Sequence, residues 1–192
     1  MELLITAGCS LLAGSYVGYA FAKKKHKETY SLDYFLSKTN RAPKQQIIQT
    51  IENASQTIDV AIFLFSDKNI AKELCQAAKR GVTVRVFTDR EQLKTFDAQY
   101  KNIKEMSDHG IAVRTNTHDG TMHIKMLIAD KTNVLAGSYN FTYNADRKND
   151  ELLMKITNKT FALSLSEAFE NLWKDGVSYL FYQDYYDKKR IS

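Results

Sequence analysis

Residues 58–89 read as a strand, a helix and a second strand, and this unit constrains the fold more than any other feature of the chain. The run from Ile58 to Phe65 is apolar and rich in β-formers, as expected of a strand buried on both faces. Asp67 stands where a helix N-cap belongs. Ile70, Ala71, Leu74 and Ala78 fall on one side of the helix it would start, and Gly81 marks the end. Val82 to Asp89 returns to a strand pattern. Strand, helix and strand within about 30 residues form a βαβ crossover, which demands parallel pairing and a right-handed connection.

The flanking segments extend this layout. Pro43 suits a first helical turn, and Ile47, Ile48, Ile51 and Ala54 recur at helical spacing, which predicts a helix over 43–56. Another helix is predicted over 98–109, closed by Gly110, with a strand over 111–115. The pattern then changes to strands over 122–130, 133–138 and 151–157, with a hairpin at 131–133. Phe161, Leu165, Phe169 and Leu172 predict an amphipathic helix over 161–173, and the last 15 residues suit a final strand or a surface tail. The expected fold class is α/β, with a mixed, largely parallel central sheet flanked by helices on both faces and preceded by an N-terminal hydrophobic helix. Residues 28–42 read as a polar linker, and residues 43–192 as one folded domain.

Composition bounds the class of partner. The chain has 192 residues, 44% apolar and 26% charged with a single Pro, which excludes a disordered or collagen-like protein. Cys9 and Cys75 cannot build a disulfide framework, and neither lies in a Cys/His cluster, so a reducing compartment without structural zinc is expected. The net charge of +5 includes Lys23, Lys24, Lys25 and Lys27; residues 28–192 hold 23 basic against 21 acidic residues, only +2. That is a weak footprint for nucleic acid. From Leu3 to Ala22 there are 20 residues without a charge, enough to cross a hydrocarbon core of about 30 Å. The basic cluster follows this stretch instead of preceding it, unlike a cleavable signal peptide. By the positive-inside rule, residues 1–27 are expected to be a membrane anchor with its basic flank in the cytoplasm, which leaves residues 28–192 on the cytoplasmic side. An exported protein is the alternative.

His123 and Lys125 stand two apart on a predicted strand, so their side chains share one face while Ile124, Met126 and Ile128 enter the other. An unpaired ammonium is expensive to bury, so that face meets water or surrounds an anion. Past the hairpin, Ser138 and Asn140 of the Gly137-Ser138-Tyr139-Asn140 run again share a face. Glu151 opens the next strand, where its carboxylate can accept a hydrogen bond from His123 and fix the imidazole tautomer. Taken alone, a His and a Lys two apart are usually a solvated face. His118 and His123 have no accompanying carboxylate cluster, so no metal site is expected. Asn140 to Thr142 and Asn158 to Thr160 match the glycosylation pattern, which is frequent by chance.

The run 123–130 has the form HxKxxxxD, and GSYN follows after six residues. In this combination the sequence resembles the phospholipase D superfamily, and among its members those with one motif per chain: the bacterial Nuc-type endonucleases and the mitochondrial cardiolipin hydrolase/Zucchini group. The similarity covers residues 43–175. The resemblance implies a phosphodiesterase in which His123 attacks phosphorus and forms a phosphohistidine. Lys125 and Asn140, with Ser138 nearby, would bind the non-bridging oxygens, and Glu151 would orient His123. Asp130 and Gly137 are motif residues with structural roles, Asp130 supporting the hairpin.

Displacement at a phosphodiester through a covalent intermediate needs a nucleophile and a separate proton donor, and one imidazole cannot be both in one step. The chain has one such motif, so a two-fold homodimer supplies the second His123. No cofactor and no metal are implied, because Lys125 and Asn140 from both chains would do the electrostatic work. The mechanism leaves the substrate open. A nuclease preferring single-stranded DNA or RNA fits the one-motif architecture and the GSxN variant, with Lys44, Arg85, Arg90, Arg114, Arg147 and Lys148 as candidate groove cations. A phospholipase D acting on cardiolipin or phosphatidylcholine fits the membrane anchor at residues 3–22. A catalytically idle nucleic-acid-binding dimer is a third class, disfavoured because every reacting residue is present. The Cys and His of the animal members' zinc module are missing, which favours a bacterial-type enzyme.

Overall fold

The computed structural model describes residues 30–183 and residue 187, and its first element is a strand where the sequence suggests a linker. Strand β1 (Ser31–Leu36) pairs antiparallel with residues 152–157 along its whole length, from Ser31 opposite Thr157 to Leu36 opposite Leu152. The linker reading of this stretch is therefore corrected. Its Leu32, Tyr34 and Leu36 alternate with Asp33 and Phe35, but a six-residue edge strand whose outer face is exposed carries too little apolar signal to stand out. The predicted anchor and hydrophobic helix lie outside the described residues. Among the described residues no helix is long and apolar enough to cross a membrane.

The βαβ core is as the local signals require. Helix α1 (Pro43–Asn53) leads to β2 (Thr57–Ile62), and α2 (Lys68–Lys79) connects it to β3 (Thr83–Thr88). Asp67 caps α2, its Oδ1 accepting from the backbone N–H of Asn69 at 2.9 Å and of Ile70 at 3.3 Å. Gly81 turns the chain at φ +90°, a conformation that favours glycine. A short α3 (Arg90–Thr95), which the sequence pattern did not reveal, and α4 (Asp97–Asp108) then lead to β4 (Ala112–Thr115). Strands β2, β3 and β4 pair in parallel.

The rest of the sheet is antiparallel, which corrects the expectation of a largely parallel one. Strands β5 (Lys125–Ala129), β6 (Asn133–Gly137) and β7 (Leu152–Thr157) form two antiparallel pairs, and β5 also runs antiparallel to β2. The reason is the connections: parallel neighbours need a crossover, and among the described strands only the neighbours β2–β3 and β3–β4 are linked by helical crossovers, α2 and the α3–α4 pair. The β5–β6 hairpin turns on Asp130 and Lys131, both at positive φ, as in a type I′ turn. A five-residue helix α5 (Tyr143–Arg147) lies between β6 and β7, α6 (Lys159–Asp175) follows, and β8 (Val177–Ser178) adds to β4. The strand order is β1-β7-β6-β5-β2-β3-β4-β8.

Strand alternation divides the interior in two. Ile58, Val60, Ile62, Val86 and Leu127 point to one face, where they pack with Ile47 and Ile51 of α1, Ile70 and Leu74 of α2 and Ile103 and Met106 of α4. Ala61, Phe87, Met126, Ile128 and Val134 point to the other, where Ala162 and Phe169 of α6 cover them. With helices on both faces, functional groups are left the two ends of the strands.

Candidate active site

Three adjacent strand ends meet at one edge of the sheet: the start of β5 at Lys125, the end of β6 at Gly137 and the start of β7 at Leu152. His123 precedes β5 and does not lie on it, so the predicted 122–130 strand is shorter than expected. Ile124 is accordingly 38% exposed and does not enter the core as Met126 and Ile128 do. The residues before β5 are held from two sides. The backbone N–H of Phe63 donates to the carbonyl of Ile124 at 3.0 Å, and the buried carboxylate of Asp89 accepts from the N–H of Met122 at 2.9 Å.

His123 is exposed and Lys125 is 8% exposed. The ammonium of Lys125 lies 3.0 Å from Nε2 of His123 and 3.0 Å from the His123 carbonyl oxygen. An ammonium only donates, so Nε2 accepts and the ring proton sits on Nδ1. The ring of Phe63 flanks both: its centroid is 4.7 Å from that of His123 and 5.1 Å from the Lys125 nitrogen. Burial pulls the Lys125 pKa below the ordinary lysine value, and the charge of Glu151 works against that pull.

The GSYN run closes the other side. Adding a Cβ at Gly137 would bring it 2.1 Å from the carbonyl oxygen of Leu152, so only glycine allows β6 to approach β7 here. Tyr139 is buried while Ser138 is exposed and Asn140 half-buried, the alternation the sequence predicts. Asn140 accepts from the N–H of Leu64 at 3.2 Å through Oδ1, which leaves its Nδ2 free to donate to a ligand. Ser138 donates through Oγ to Glu151 Oε2 at 2.5 Å, and Asn149 donates to Oε1 at 3.0 Å. Both oxygens of Glu151 thus have partners in the same chain, and neither partner is His123. The expected Glu151–His123 hydrogen bond is not made within the chain.

Asp130 stands at the far end of β5. Its carboxylate accepts from the backbone N–H groups of Ser55, Gln56 and Thr57 at 2.7–3.0 Å and ties the hairpin turn to the loop before β2. Most of the candidate groove cations are committed elsewhere. Arg85 pairs with Asp59 and Glu170 and stacks on Phe169 and Trp173, Arg114 donates to the Trp173 carbonyl, Lys44 pairs with Asp67, and Arg90 pairs with Glu91. Of the six, Arg147 and Lys148 follow Asn140 on the segment before β7, with Arg147 paired to Asp146 at 2.9 Å. Among the described residues no three His, Cys, Asp or Glu side chains converge as metal ligands would. Phe63 and Asn149 contribute to the site without a signal in the sequence pattern, and Asp89 shows there only as the end of the 82–89 strand.

Residues 47–173 match the family described as cardiolipin synthase, PLD-like domain. The chain belongs to the phospholipase D-like family. A phospholipase D from Rickettsia prowazekii is 36% identical over 66% of the chain and 58% of its own length. A mitochondrial cardiolipin hydrolase from Xenopus tropicalis is 30% identical over 72% of the chain and 66% of its own length. The chain thus spans less than two thirds of the length of these two relatives. The crystal structure of Nuc, a phospholipase D family member from Salmonella typhimurium, superimposes with a TM-score of 0.74 at 29% identity, covering 79% of this chain and 99% of that one. The described phospholipase D-like domain is therefore of the size of Nuc, and its extra length lies outside the shared fold.

Proposed function

We propose that the protein is a phosphodiesterase that acts through a phosphohistidine at a homodimer interface, with single-stranded nucleic acid as substrate. The observation that carries the chemistry is the contact of His123 Nε2 with the Lys125 ammonium, beside the uncommitted amide of Asn140. In the first step Nε2 of His123 attacks phosphorus, the phosphorus–oxygen bond to the leaving group breaks, and the protonated His123 of the second protomer gives its proton to the departing oxygen. In the second step that imidazole, now neutral, takes a proton from water as the water attacks phosphorus, releasing the phosphomonoester and free His123. Lys125 and Asn140 hold the non-bridging oxygens as negative charge builds up.

The homodimer follows from the presence of one such imidazole per chain, and an exposed apolar row supports where the partner sits. Leu32, Tyr34 and Leu36 of β1 stand opposite Ile156, Met154 and Leu152 of β7, and the row ends next to Glu151 and Ser138. A second copy covering this row would bring its His123 toward the first. The near-complete overlap with Nuc and the GSxN form of the motif support the nuclease reading.

The second reading is a phospholipase D. The names of the curated relatives favour it, and an anchor at residues 3–22 would hold the site near lipid. One panel separates the two. Full-length protein in EDTA is offered labelled single-stranded DNA, double-stranded DNA, RNA and vesicles of phosphatidylcholine with cardiolipin, beside His123→Ala. Cleavage of single strands that vanishes in His123→Ala is the expected result. Lipid turnover without nucleic-acid cleavage reverses the order of the readings, and loss of all activity on chelation defeats the metal-free mechanism.

A further inference from the structure

The loop after β2 and the turn from Asn140 to Asn149 line a cavity of about 250 Å³ that shares Asn140 with the candidate active site. Two aromatic rings line it, Phe96 and Tyr143, and they are 37% and 65% exposed. Neither belongs to the buried clusters on the two faces of the sheet, so packing of the core does not account for them. The remaining wall is rich in amides and hydroxyls: Asn140, Asn144, Asn149 and Ser66 among them, with no charged side chain. Among the described residues the Asn144 side chain has no hydrogen-bond partner, and Asn140 uses its Oδ1 and leaves its Nδ2 without one. Such a wall offers π faces and neutral donors and acceptors, and no full charge to pair with a phosphate or an ammonium.

We propose that this cavity is a nucleobase subsite that takes the base adjoining the scissile phosphate of a single strand. The inference rests on the phosphodiesterase reading of the site and deepens it. Stacking on exposed rings is open to any base that has left a duplex. Side-chain amides match the donor and acceptor groups on a base edge. Asn140 belongs to both places, which sets the base one linkage from the reacting phosphorus. Lys148, and Arg147 with its exposed guanidinium paired to Asp146, lie between the lining residues Asn144 and Asn149 and would meet the next phosphate of the strand. A paired base held inside a duplex cannot enter, so the cavity also selects single strands.

The test compares two substrates of the full-length protein: a single-stranded oligodeoxynucleotide cut at a defined linkage, and the same oligonucleotide with an abasic residue next to that linkage. Tyr143→Ala should lower kcat/KM about tenfold on the base-bearing strand and leave the abasic strand unchanged, whereas Tyr143→Phe should behave as wild type. Phe96→Leu is the second variant, with the same expected contrast, and thermal melting confirms that each variant is folded. Equal losses on both substrates, or none on either, overturn the subsite. A Tyr143→Ala loss confined to phosphatidylcholine or cardiolipin vesicles overturns it in favour of a lipid site. Retained cleavage in His123→Ala would instead defeat the underlying phosphodiesterase reading, whatever Tyr143 does.

Discussion

Lys125 donates to Nε2 of His123 at 3.0 Å, so the lone pair that would attack phosphorus is held by the same ammonium that would bind the phosphate. On the proposed mechanism, an incoming phosphodiester would compete for that ammonium with its own oxygens. Drawing Lys125 onto a non-bridging oxygen would then free Nε2 at the moment the substrate is in place.

Replacing Lys125 by Met should separate activity from stability. The folded protein keeps the lysine pKa below its unfolded value, so between those two values the unfolded chain binds more protons and stability rises with pH. At neutral pH, below that window, the charge is present in both states and its burial opposes folding in full. Lys125→Met should therefore raise stability by about 1 kcal/mol while lowering kcat about 10²–10³-fold. In the wild type, activity should fall as alkaline pH removes the Lys125 proton, earlier than an ordinary lysine would lose it. Melting curves and a pH–rate profile check both.

Gly137→Ala should damage the site through the backbone. Its Cβ would meet the Leu152 carbonyl oxygen, which is part of a strand pair and cannot rotate away. Separating β6 from β7 should cost about 1–3 kcal/mol and shift Ser138 away from Glu151. Tm should drop by about 2–4 °C per kcal/mol, and activity should fall even at temperatures where the variant is folded.

Asp130→Ala should do the reverse, weakening the fold while sparing the chemistry. Burial pushes this carboxyl up, but the N–H groups of Thr57, Ser55 and Gln56 together bring its pKa below the ordinary value. A depressed carboxyl stabilises the fold above its unfolded pKa, and that contribution is lost as pH falls through the folded value, below about pH 4. The variant should lose about 1–2 kcal/mol at pH 7 and show a flatter acid limb in its stability profile. Its kcat at low temperature should match wild type.

Charges placed in the apolar row should divide the enzyme into inactive halves. Leu32 and Tyr34 are 51% and 55% exposed in the single chain, so Leu32→Glu with Tyr34→Glu should leave its melting almost unchanged. Sedimentation should show monomers, and cleavage should disappear with the dimer. A monomeric double variant with full activity would sink the shared-site mechanism.

The sequence by itself determined the spacing of His123, Lys125, Ser138 and Asn140, the helix cap at Asp67, the turn at Gly81 and the family, because each of these is written in neighbouring residues. Helical and strand periods, caps and turns act over a few positions, and the HxK and GSYN runs carry their geometry with them. The tertiary structure decided which strands are neighbours and what each carboxylate does. Only β2, β3 and β4 had helical crossovers, so the sheet became mostly antiparallel, and the six residues 31–36 became a strand because β7 had a free edge. Glu151 turned to Ser138 and Asn149, and Arg85 to Asp59 and Glu170, since an ion or hydrogen-bond acceptor takes the partner that folding brings within about 3 Å, however far away it lies in the chain.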